Sequence, residues 1–219
     1  PGLADGQLDI KADNYAAGFN AGVMFTPTSA TKIGVAYRSQ ITHNLKGNLT
    51  FLRINPVPDI GTKIVMPQNV IASLSQDFSC GLTLLAEAGW ANWSSMQDTI
   101  LNLRNLAVVT PRHWRDTFRL GLGGQYPLTP SMTLQAGISY DSSPTSADLR
   151  LPDMPMDQQL RIGTGAILTV TDAVKLGFSY EYMNLGNADI KATTTNGLLS
   201  GSYDRNYSNT LQVSVNICA

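Results

Sequence analysis

The sequence predicts an all-β protein, an antiparallel transmembrane β-barrel, and three observations carry that prediction. Charged residues make up 14% of the 219 residues while hydrophobic ones reach 43%, so charge is well below the roughly 25% of an ordinary soluble domain. Apolar and polar residues alternate with period two along nearly the whole chain, the pattern of strands with two unlike faces. The connections between alternating segments are short and long by turns, as in barrels with tight turns on the periplasmic side and longer loops outside.

In chain order, the first alternating segment covers residues 15–25, and about nine such segments follow one another to residue 217, each within the usual reach of a tilted spanning strand. Phe118, Leu120, Leu122 and Tyr126 stand opposite Arg119, Gly121, Gly123 and Gln125. Met132, Leu134, Ala136, Ile138 and Tyr140 stand opposite Thr133, Gln135, Gly137, Ser139 and Asp141. Leu160, Ile162, Ala166, Leu168 and Val170 oppose Arg161, Gly163, Gly165 and Thr169. Val174, Leu176, Phe178, Tyr180 and Tyr182 oppose Lys175, Gly177, Ser179 and Glu181, and Leu211, Val213, Val215 and Ile217 oppose Gln212, Ser214 and Asn216. A soluble sandwich alternates too. Here, however, the polar face is rich in Gly, Ser and Gln, as a wet or packed lumen requires, and Phe25, Tyr37, Trp90, Tyr126, Tyr140 and Tyr182 fall near strand ends on the apolar face, where interfacial girdles belong.

Short turns fall at residues 26–31, 77–81, 127–131 and 171–173, and longer connections at 53–63, 103–112, 142–157 and 191–200. This assigns a side of the membrane to every connection and leaves the carboxyl end in the periplasm. About nine strands is the wrong parity for a single-chain bacterial barrel. The expectation is therefore that residues 1–219 are the C-terminal part of one barrel domain whose earlier strands are absent from this chain. Alone, such a sheet leaves two edges unpaired in lipid, where unsatisfied backbone groups are costly.

Composition also excludes classes. A net charge of -1 gives no basic face for nucleic acid. The histidines His43 and His113 are isolated, and no GxSxG, HExxH or paired-cysteine spacing occurs, so no catalytic role, metal or cofactor is expected. Cys80 and Cys218 fall on the periplasmic side about five strands apart, beyond the ~7 Å reach of a disulfide; two free thiols are expected.

Several stretches resemble the FadL/TodX family of outer-membrane transporters of long-chain fatty acids and aromatic hydrocarbons: Ile33–Ser39 running on to Leu45-Lys46-Gly47, Trp90–Ser95, His113–Arg119, Tyr140–Pro144 and Ser200–Asp204. They keep the family's order over nearly the whole chain. The resemblance implies a barrel of roughly fourteen strands, of which this chain supplies about nine, with an N-terminal hatch upstream. It implies capture of ligand among outer loops, passive diffusion through the barrel, a bacterial outer-membrane location and a monomer when full length. The carboxyl end, Ile217-Cys218-Ala219, departs from the family's aromatic finish.

Candidate sites follow from two features. The outer connections are apolar: Leu103, Leu106, Ala107, Val108 and Val109 in one, Ile54, Val57, Ile60, Ile64, Val65 and Met66 in another, and Leu149, Leu151, Met154 and Met156 in a third. They either collect hydrophobic small molecules, lipid or detergent among them, or pack on one another to cap the barrel. Arg38, Arg119, Arg161, Glu87, Glu181, Lys32 and Lys175 fall on the inner face. A cation such as Arg119 or Arg161 suits a ligand carboxylate, but pairing between neighbouring strands is favoured because unpaired buried charge is costly. Trp114 and Arg115 read as interfacial anchors in contact with membrane lipid. The function expected is passage of hydrophobic molecules; a structural or adhesive barrel with partner-binding loops is the alternative, and a soluble all-β binding domain fits least.

Overall fold

A computed structural model describes residues 8–51, 57–103, 106–194 and 197–217. Among them are sixteen strands: β1 (Leu8–Asp13), β2 (Asn20–Thr28), β3 (Thr31–Arg38), β4 (Ile41–Phe51), β5 (Val57–Met66), β6 (Asn69–Asp77), β7 (Thr83–Ala91), β8 (Asp98–Leu103), β9 (Leu106–Pro111), β10 (Thr117–Thr129), β11 (Met132–Asp141), β12 (Gln159–Thr171), β13 (Val174–Asn184), β14 (Ile190–Thr194), β15 (Gly197–Gly201) and β16 (Tyr207–Ile217). A short 3₁₀ turn, Trp93–Ser95, precedes β8.

Nine of these strands form one antiparallel wall in the order β16-β13-β12-β11-β10-β7-β6-β3-β2, the number the alternation predicts. The register carries the alternation from strand to strand. Gly123 pairs with Gly137, Gly137 with Gly163 and Gly163 with Glu181, while one position along Leu122 pairs with Ile138, Ile138 with Ile162 and Ile162 with Tyr182. Since successive side chains point to opposite faces, one face of the wall is polar and glycine-rich and the other apolar. The apolar face is open: Leu120, Leu122, Val213 and Leu211 are 63%, 66%, 66% and 82% exposed, as lipid-facing side chains must be. Along one rim of that face Tyr37, Val70, Trp90 and Phe118 stand side by side, part of an aromatic girdle.

All four tight turns lie at one end of the wall, and three carry a register shift, between Phe25 and Thr28, Pro127 and Thr129, and Thr169 and Thr171; such bulges tighten local twist where strands reverse. The fourth uses Gly81 at φ +88°, a conformation costly for side-chain-bearing residues. Among the described residues β2 and β16 each have a ladder partner on one side only.

The longer connections differ from the expected loops. Among the described residues they hold six further strands, which with β1, ahead of the wall, form a five-stranded antiparallel sheet in the order β1-β4-β5-β8-β9 and the hairpin β14-β15. Here, rather than in the wall, lie the buried apolar side chains Ile60, Val65, Trp114, Ala188, Ile190 and Ala192. The molecule is thus inside out along the wall and conventionally packed above it. Trp114 corrects an expectation. It is 4% exposed and meets Trp93 edge to face at 5.3 Å, so it belongs to this outer core and not to the girdle. Ile54 and Cys218 lie outside the described residues, while Cys80 is an exposed free thiol.

Candidate functional site

On the inner face of the wall a trough of about 800 Å³ is lined by Ser73, Gly121, Gly123, Gln125, Gln135, Gly137, Gly163, Gly165, Ser179 and Gln212, among others. The adjacent glycines of β10, β11 and β12 leave bare backbone as its floor. A Cβ added at Gly137 would meet the Leu122 carbonyl oxygen at 3.2 Å, so the smooth floor is also a packing requirement. Along one rim runs a ladder of ion pairs. Arg119 Nη1 lies 3.8 Å from Glu87 on β7, Arg119 Nε donates to Asp141 Oδ1 at 2.8 Å, and Arg161 Nη1 donates to Asp141 Oδ2 at 2.6 Å. Four neighbouring strands thus place two guanidiniums and two carboxylates in alternation, with Asp141 shared. Arg161 also reaches Met183 Sδ at 3.2 Å. Charges of opposite sign at this separation hold each other in place in a polar lumen.

Above the wall lies the second region. Leu103 ends β8 and Leu106, Val108 and Val109 belong to β9. The last three are 62%, 42% and 52% exposed, and alternation puts Val109 on the face opposite Leu106 and Val108. Met154 and Met156, both half-buried, lie in the connection after β11. The sequence-predicted residues therefore form two groups: Arg119 and Arg161 brought together inside the wall, and the apolar set above it.

What joins the apolar elements was not legible beforehand. Arg112, just after β9, donates from Nε to Thr99 Oγ1 of β8 at 3.1 Å and from both terminal nitrogens to Asp153, Nη1 to Oδ1 at 2.8 Å. Arg150 is 3% exposed. It donates to the carbonyls of Met156, Asp189 and Thr145 and to Ser143 Oγ, and pairs with Asp157 at 3.0 Å. Lys191 N and Tyr203 Oη tie the β14-β15 region to the carbonyls of Ala147 and Pro152. The available signal was the set of charges standing alone in apolar connections, with Asp153 and Asp157 bracketing the two methionines.

Asp116 is a further hub. One oxygen accepts from Asn92 Nδ2 and from the Ser94 backbone N–H, each at 3.0 Å, and the other from Trp90 Nε1 at 3.0 Å. Burial pushes its pKa up, but the hydrogen bonds from Ser94, Asn92 and Trp90 together outweigh that and hold the carboxyl below its usual range,. A carboxyl whose folded pKa is depressed stabilises the fold fully above its unfolded value of 3.8 and loses that contribution as pH falls through the folded one,. We therefore expect Asp116→Asn to remove part of the stability difference between pH 6 and pH 3, read as a smaller gap between the two thermal midpoints; an unchanged gap would show that the hub is not titrating.

Protein comparisons agree with this architecture. The description "Outer membrane protein transport protein (OMPP1/FadL/TodX)" matches residues 4–218. A putative outer membrane protein of Neisseria meningitidis is 22% identical, covering 89% of this chain and 47% of its own length. A long-chain fatty acid transport protein of Escherichia coli is 24% identical, over 89% and 48%. The chain thus spans about half the length of these relatives. Among solved structures, a Pseudomonas aeruginosa FadL homologue superposes with a TM-score of 0.81 at 24% identity, over 95% of this chain and 53% of the other. The Ralstonia pickettii toluene transporter TbuX gives 0.68 at 20%, over 99% and 52%. With its apolar side chains turned outward along a nine-stranded wall and that description matched over residues 4–218, the chain is an outer-membrane protein and belongs to the OMPP1/FadL/TodX outer membrane protein transport family.

Proposed function

We propose that the protein containing this chain passes small hydrophobic molecules, long-chain fatty acids or aromatic hydrocarbons, across the outer membrane by passive diffusion, as a monomer. The single observation behind this reading is the exposed apolar surface of the outer hairpin, Leu106, Val108 and Val109, on a chain whose relatives include a long-chain fatty acid transport protein. Apolar side chains left in water at the outer side gather hydrophobic solutes. Leu103, Leu106, Val108 and Val109, on the two faces of the hairpin, together with Met154 and Met156 supply the collecting side chains, with methionine adapting to ligands of varied shape. Arg119 and Arg161 act inside the lumen, where a ligand carboxylate competes with Asp141 for their guanidiniums. No metal, cofactor, catalytic step or nucleic acid enters this reading. A structural or adhesive barrel, which expects polar outer loops, is not favoured.

The test is uptake. Cells lacking their own hydrophobic-uptake porin, expressing this protein in the outer membrane, should accumulate a labelled long-chain fatty acid or toluene several-fold faster than vector controls, with sugar permeability unchanged. No gain for either solute class would overturn the proposal.

A further inference from the structure

We infer that Arg112 is a positioning residue that holds the methionine segment of the third outer connection against the β8-β9 hairpin, so that two separate apolar elements make one collecting surface. The inference rests on the function proposed above. Its basis is geometric. Arg112 is 7% exposed, and its guanidinium is divided between two partners: Nε is held by Thr99 of the hairpin, while both terminal nitrogens fork onto Asp153, 41 residues further along the chain. The backbone at this point is also braced, because Arg112 N–H and His113 N–H both donate to the Gln97 carbonyl, at 2.6 and 3.0 Å.

Asp153 immediately precedes Met154. At the other end of the segment the Met156 carbonyl and the Asp157 carboxylate are held by Arg150. The five residues from Asp153 to Asp157 are therefore pinned at both ends by different arginines. Arg150 belongs with the β14-β15 side through the Asp189 carbonyl, and Arg112 belongs with the hairpin. Of these two restraints, the Arg112 fork ties the methionine segment to the base of the hairpin whose strand β9 carries Leu106 and Val108. A planar fork fixes orientation as well as distance, which a lysine ammonium cannot do.

The experiment uses Arg112→Lys, Arg112→Asp, Asp153→Arg and the double charge swap Arg112→Asp/Asp153→Arg, each in the protein as expressed in outer membranes. Two quantities are read: binding of a fluorescent long-chain fatty acid, and the distance distribution between spin labels at Asn102 on β8 and Gln158. We expect the single variants to weaken binding about five- to tenfold through lost preorganisation, with a broadened distance distribution, and the swap to recover most of both. Arg112→Lys should keep the charge yet broaden the distances. Single variants with a wild-type distance distribution, or with broadened distances and undiminished binding, overturn the inference. If the wild type binds no probe, the proposed function falls, and the affinity claim with it. The distances then decide by themselves whether Arg112 holds the segment. Heat-modifiable migration of every variant separates a lost clamp from a lost barrel.

Discussion

Replacing Arg150 by methionine is expected to destabilise the outer connections by about 3–5 kcal/mol, the range for breaking a buried ion pair by removing one partner. The side chain is 3% exposed and serves the carbonyls of Met156, Asp189 and Thr145, the Ser143 hydroxyl and the Asp157 carboxylate. Methionine matches much of the volume but supplies none of the donors. The Thr145 carbonyl and the Ser143 hydroxyl keep each other, but the other acceptors lose the Arg150 donor in a buried setting, and each unmet group adds its own penalty. The loss should stay local. The wall is held by continuous ladders among its nine strands, none of which depends on Arg150. Limited proteolysis should therefore show early cleavage in residues 142–158 and 185–206 while heat-modifiability of the barrel persists. Wild-type protease resistance in Arg150→Met would show that other contacts hold these connections.

Leu122→Arg tests the wall itself. Leu122 lies midway along β10 on the apolar face, 66% exposed, between Ala86 of β7 and Ile138 of β11. An arginine at the bilayer midplane costs about 2–4 kcal/mol in a barrel, and the neighbouring positions offer no carboxylate to offset it. Gln135→Arg, on the inner face where Gln125 and Gly165 are its register partners, should cost little because the lumen is polar. Refolding yield into lipid vesicles measures both. Equal yields would show that the two faces do not meet different solvents, and a lower yield for Gln135→Arg would show that the face bearing Gln135 is the one in lipid.

The contrast between these two positions shows why so much of the wall was readable. Lipid on one side and a polar lumen on the other force a period of two, so inward Arg119, Arg161 and Glu87 and outward Leu120, Ile138 and Phe178 declare themselves in order. Above the membrane that constraint ends. β9 reads Leu-Ala-Val-Val-Thr-Pro, with no alternation, and β14 reads Ile-Lys-Ala-Thr-Thr, which alternates but over only five residues. Their strand identity comes from pairing with β8 and β15, which a local pattern does not show. Trp114 departs from its local pattern for a related reason. An aromatic at a strand end is a girdle residue if the chain beside it faces lipid, and a core residue if, as here, Trp93 folds back over it.

By itself the sequence determined that this is an outer-membrane wall, how many strands it has and which way each side chain faces, because those properties follow from local periodicity imposed by two solvents. Tertiary structure alone decided that Arg119 and Arg161 share the one carboxylate of Asp141, and that Arg112 finds Asp153 while Arg150 finds Asp157 and the carbonyls around it. Strand register and the folding of one connection over another bring those groups together across separations of up to 41 residues, and nothing in the spacing of charges along a chain specifies which of several carboxylates an arginine will meet.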